Sequence, residues 1–393
     1  MDNLHYAPAA FESIYDELKE DAFKYCESDS ILTNVFFWWN KNDEDKRLFR
    51  ELCKKYNRLS LVDSGGFQLI TGSVKESKFD PKKIFNIQTE VADVGFILDF
   101  PLVKMSKDAD GKKSMSIITK DSEVDERVEV TRKNIDAVRG LDRKDMKYYF
   151  VVHGGFIDHY DKWISCLHEK ELFDGITLKT KNLYQLFCSF FASYHLGFKR
   201  YHALGTSSLP SVIILAYLLA KCKDYGKEIE ILTYDSTSPL QHAIYKRALF
   251  EVTYTRIYRA HLTNSKLTKL GCGCPVCVHL GDGAVEQFNK TYGWLIIHNI
   301  NMAVRFNKFV SALVDDKKLF LEFVHTYFPK LNKFLKIVDL VFEEVATGKE
   351  FCKIYDDLDI GIRHYVESLV DLEEEVTQST WDSLLTTSTK KEE

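Results

Sequence analysis

Seven short β-branched or aromatic runs recur along this chain, at 31–37, 59–63, 95–99, 148–153, 175–179, 201–205 and 229–235, all but the first ending in a polar or glycine residue. Stretches with helical spacing, such as 123–139 and 209–222, lie between most of them. Strands that alternate with helices pair in parallel, because a parallel connection needs a crossover long enough to hold a helix. Seven runs, with an eighth around 253–260, predict an α/β fold of the (β/α)8 TIM type rather than an open sheet. A barrel of this kind carries its chemistry at the C-terminal ends of its strands.

The residues at those ends are Asp63, Asp99, His153, Gly205 and Asp235. Any one of them could simply cap the following helix. Three aspartates in corresponding places point further, to acid–base or nucleophilic chemistry at the barrel mouth.

Composition bears on the partners. Fifty-three Lys+Arg against 58 Asp+Glu leave a net charge of −5, so a nucleic-acid surface has to be a local patch. One candidate is 246–269, where Lys246, Arg247, Arg256, Arg259, Lys266 and Lys269 face a single acid, Glu251, with Phe250, Tyr254 and Tyr258 interleaved. Basic groups for phosphates and rings for extruded bases make a surface that holds a polynucleotide without reading its sequence. The bland alternative is a solvated face over core aromatics. Residues 104–120 are polar and read as a loop rather than a lid, and 301–372 have the apolar spacing of packed helices. The start lacks a basic-then-apolar leader and no stretch reaches about 18 apolar residues, so a cytoplasmic chain with no membrane contact is expected.

Of nine cysteines, six are scattered and three cluster in Cys272-Gly273-Cys274-Pro275-Val276-Cys277. Three thiolates on one tight turn suit tetrahedral zinc with a structural role. His279 and His298 are the candidate fourth ligands, and His298, in a helical pattern, is preferred because it would clamp that helix to the loop.

Asp63-Ser64-Gly65-Gly66-Phe67-Gln68, Asp235-Ser236 and the cysteine motif followed by His298-Asn299 resemble, in order and over roughly 31–310, the tRNA-guanine transglycosylase superfamily. The resemblance implies a zinc-bearing barrel that exchanges guanine in a polynucleotide for a 7-deazaguanine such as 7-cyano-7-deazaguanine, without breaking the backbone. It implies that Asp235 is the nucleophile at the sugar C1′ and that Asp63 is the general acid/base. It further implies that Asp99 reads the base edge, with Phe67, Ser64, Gly65, His153, Gly154, Leu204 and Gly205 around the base. His153-Gly154-Gly155 stands where many members have a glutamine before two glycines.

The proline-threonine-arginine run that follows the nucleophile in bacterial tRNA enzymes is missing here, and so is an archaeal-type RNA-binding extension. The chain is therefore more similar to the DNA-modifying branch called DpdA. DNA is the expected polymer, with tRNA or a non-catalytic partner role as the alternatives. A homodimer, or a protein that opens the duplex, is the expected protein partner, since a stacked target has to be flipped out. The expected divisions are a barrel over 1–265, a zinc subdomain over 266–300, helices over 301–372 and a polar tail over 373–393.

Overall fold

The computed structural model describes the chain apart from residues 1–2, 76–78, 108–112, 168, 207, 247, 254–255, 262–271 and 370–393, and gives backbone alone at 106–107, 113–115, 246, 248–253 and 256–261. Eight parallel strands form the expected barrel: β1 (Leu4–Pro8), β2 (Ser30–Asn34), β3 (Leu59–Asp63), β4 (Val94–Phe96), β5 (Lys147–Val152), β6 (Gly175–Lys179), β7 (Arg200–Leu204) and β8 (Ile231–Ser236). Their order is β1-β8-β7-β6-β5-β4-β3-β2.

The eighth strand is not at 253–260, which corrects the sequence expectation. It is Leu4–Pro8, paired along its length with Ile231–Ser236, while 253–260 falls within an antiparallel hairpin of Ala248–Thr253 and Arg256–His261. Five residues at the chain start carry too little periodicity to announce a strand, and only the exposed edge of β8 selects them. Residues 104–120, read as a loop, likewise contain a hairpin, Val103–Lys107 with Lys113–Ile117.

No backbone ladder joins β1 to β2, so side chains close the barrel there. The hydroxyls of Ser28 and Ser30 both bond the Tyr6 carbonyl, the latter at 3.1 Å. The helix Tyr292–Leu313 lies across the same seam. Asn301 accepts from Glu27 N at 2.7 Å and donates to Tyr25 O at 2.9 Å, Asn307 donates to Leu4 O at 2.8 Å, and Arg305 grips Glu27 at 3.1 and 3.2 Å. That helix runs unbroken through residue 300, where the zinc and helical segments were divided.

Elsewhere several crossover helices start on a side-chain cap. Asn182 accepts from Gln185 N at 2.8 Å at the head of Leu183–Tyr194, and Ser208 caps Leu209–Asp224 with Pro210 in its first turn. Helices from 317 onward coat this side, Phe334, Phe342 and Phe351 setting their rings against Phe187, Phe190 and Phe191 at 5.0–6.0 Å. Among the described residues no helix is long and apolar enough to cross a membrane.

Candidate active site at the barrel mouth

Parallel register sets which side chains share a layer. Asn34 pairs with Asp63, Lys179 with Leu204 and Ala7 with Asp235, while Val152 pairs with Leu178, which puts His153 level with Lys179. Thr233 and His202 bond inside the barrel, so the residues two further along each strand, Asp235 and Leu204, also face inward. His153, Lys179, Leu204 and Asp235 thus share one register row at the top of the barrel, Asn34 and Asp63 share another, and Asp99 lies three residues past the end of β4.

The Asp235 carboxyl is buried and unevenly held. Its Oδ1 accepts from Gly205 N at 2.7 Å and meets His202 Nε2 at 3.2 Å. Among the described residues its Oδ2 has no hydrogen-bond partner. His202 is fully buried, stacked on Phe96 at 4.9 Å, and its Nδ1 meets the Thr233 hydroxyl at 2.8 Å. With Nδ1 accepting from that hydroxyl, Nε2 carries the hydrogen that faces Asp235.

Asp63 Oδ2 accepts from Asn34 Nδ2 at 3.1 Å and from Gly65 N at 3.3 Å. Burial raises its pKa from 3.8 to about 7, and the neighbouring Asp99 and Asp235 carboxylates add to the rise. Glu12, in the first turn after β1, is also raised to about 7, chiefly by burial, and Asp63 contributes. A carboxyl near 7 can give and take a proton at neutral pH.

Asp99 is buried and engaged on both oxygens. His153 Nε2 shares a hydrogen bond with Oδ2, and Ser64 Oγ lies 3.4 Å from Oδ1. The His153 ring is also wedged edge-on against Trp163 at 4.8 Å, so it orients Asp99 from behind. Gly66 lets the backbone lie close, since a Cβ there would fall 2.8 Å from Asp99 O. Asp99 and Asp235 both lie near enough to Asp63 to act on its titration.

Phe67 stands on the helix Gly66–Thr71 with its ring 44% exposed, free to meet a ligand face. Phe156, in the loop after β5, is 47% exposed. The Gly154 carbonyl accepts from Gln185 Nε2 at 3.3 Å, and the Leu204 carbonyl accepts from Thr180 Oγ1 at 2.8 Å. Gly205 N is taken by Asp235. Of the backbone groups at Leu204-Gly205, where a base was expected, the Leu204 carbonyl and the Gly205 amide are engaged within the protein.

Sequence reasoning passed over Lys179, His202, Glu12 and Asn34. Lys179 ends a strand like the three aspartates and could have been found by the same rule. His202 is an interior histidine on a strand, a pattern shared by many core histidines, and only its contact with Asp235 distinguishes it.

Below the rim, Cys272, Cys274, Cys277 and His298 offer ligand atoms all within 4.8 Å of one another. His298 Nδ1 lies 3.4 Å from Cys274 Sγ and 3.3 Å from Cys277 Sγ. Backbone amides of Cys274 and Cys277 point at Cys272 Sγ and Cys274 Sγ, each at 3.4 Å. This donor set can hold a metal ion. His279 instead stacks on Tyr25 at 4.3 Å.

Of the basic segment, Lys246 ends the helix Ser238–Lys246, and Arg256 and Arg259 lie on the hairpin opposite Thr253 and Phe250. Arg247, Lys266, Lys269 and Tyr254 lie outside the described residues.

No family model matches this chain, and no curated protein matches it. Among solved structures it is similar to a D-psicose 3-epimerase from Clostridium cellulolyticum H10, solved with D-tagatose. The identity is 8% over 78% of this chain and 99% of that one, with a TM-score of 0.42.

Proposed function

We propose that this chain is a guanine transglycosylase that replaces guanine in DNA with a 7-deazaguanine derivative through a covalent aspartyl-glycosyl intermediate. The observation that carries the reading is that Asp63 and Asp235 both stand at strand ends of the barrel mouth, near enough that Asp235 helps raise Asp63 to about 7.

Each carboxyl suits a different half of the exchange. Asp235 Oδ2 attacks C1′ as the bond to guanine N9 breaks, while Gly205 N–H and His202 hold Oδ1. Asp63, protonated on the oxygen that Asn34 and Gly65 leave free, donates to the departing guanine. It then takes the N9 proton of the incoming base as that nitrogen displaces Asp235 from C1′. Two displacements at one carbon give net retention, as in retaining glycosidases. Asp99 would accept from N1–H and N2–H of either base, and Phe67 would cover the ring.

Cys272, Cys274, Cys277 and His298 fit zinc, which with four protein ligands would be structural. DNA is favoured over tRNA by the missing arginine run after Asp235. The deciding experiment incubates purified protein with labelled guanine and, separately, DNA or tRNA, then digests to nucleosides. Label in deoxyguanosine supports the reading, label in tRNA moves it to the alternative polymer, and label in neither removes it. Asp235→Asn should abolish incorporation, and a non-catalytic partner chain would show none to lose.

A further inference from the structure

Lys179 is a cation among the aspartates of the barrel mouth. It ends β6, pairs with Leu204, and stands on the register row that also holds His153 and Asp235. Asp99, Asp235 and Asp63 all act on it electrostatically, Asp99 most strongly of the three. Yet among the described residues Lys179 makes no ion pair and no side-chain hydrogen bond, unlike Lys221, which meets Asp339 at 2.8 Å. Its backbone carbonyl is tied down by Ser189 Oγ at 3.3 Å, so the strand end that carries it is fixed.

We infer that Lys179 is a specificity-determining residue that donates a hydrogen bond to the 6-oxo group of the base whose N1–H and N2–H edge is read by Asp99. This inference rests on the base-exchange reading. A guanine-type base presents two donors and then a carbonyl acceptor along one edge, so a pocket that reads it needs acceptors flanked by a donor. Asp99 supplies the acceptors, and its own orientation is set by His153 and Ser64. The backbone amide at Gly205 is spent on Asp235 and His153 is spent on Asp99, which leaves the Lys179 amine, on which Asp99 acts, as a donor on that row without a protein partner among the described residues. Lys179 is half-buried, and a base carbonyl entering the mouth would give its amine an acceptor that the described protein groups do not supply. Burial lowers the Lys179 pKa despite three carboxylates, and the amine keeps N–H donors in either protonation state.

The test measures binding of two free bases, 7-deazaguanine and 2-amino-7-deazapurine, which lacks the 6-oxo group and the N1–H that accompanies it, to wild type and to Lys179→Met by calorimetry, so that the Asp99 contribution is common to both proteins and the difference between them isolates Lys179. Wild type should prefer the oxo base, and Lys179→Met should shrink that preference by about 10-fold or more while leaving affinity for 2-amino-7-deazapurine nearly unchanged. Lys179→Gln, which keeps a donor on a shorter stem, should recover part of the preference and serves as the variant of record if the Met form does not fold. An unchanged preference in folded variants overturns the role of Lys179 while the base-exchange reading stands. Wild-type protein that binds neither base overturns both.

Discussion

The Gly205 amide donates a 2.7 Å hydrogen bond to Asp235 Oδ1 from a backbone turned to φ +79°, just past the end of β7. This geometry fixes one oxygen of the carboxyl and leaves the other without a hydrogen bond among the described residues. A Cβ at 205 would meet nothing within 4 Å, so the demand for glycine is conformational rather than steric. Gly205→Ala should therefore cost about 1 kcal/mol of stability in denaturant unfolding. The same change should lower the rate of base exchange about 10-fold or more, with little effect on base affinity, since the misplaced amide serves the nucleophile alone.

His202 reaches the same carboxyl from within the barrel. His202→Phe fills the space without the Nε2 hydrogen, and should reduce kcat about 10- to 100-fold while KM changes little. An equal loss in KM would place the effect on base binding instead.

Stability should depend on pH with a definite sign. Asp63 and Glu12 are both raised to about 7 in the folded chain, so the folded state binds protons that the unfolded state has already lost above pH 4 to 5. Unfolding free energy then falls as pH rises from about 4 to 7 and levels off above 7, by at most ~4 kcal/mol for Asp63. Asp63→Asn should flatten this dependence and make the variant more stable than wild type at pH 8, although inactive in exchange. Denaturant titrations at pH 5 and 8 measure both slopes.

Metal removal should act through the helix Tyr292–Leu313. Its His298 joins the cysteine loop, and Arg305 in the same helix donates to Gly273 O at 3.0 Å and grips Glu27 beside the β1–β2 seam. Chelation, or Cys277→Ala, should lower Tm by several degrees and speed hydrogen exchange in 4–8 and 292–313, with one metal per chain lost by mass spectrometry.

Much of this was written in the residue order. Short apolar runs between helical stretches impose parallel pairing, because neither pattern can bury its apolar face except against the other. The aspartates that end those runs, and three cysteines on a turn of glycine and proline, are local features that survive without a fold. The closing strand, the partnership of His202 with Asp235 and the place of Lys179 among carboxylates were decided only when the barrel closed. Each depends on residues tens to hundreds of positions apart reaching one layer, and register between strands, unlike periodicity within one, leaves no mark on the chain that carries it.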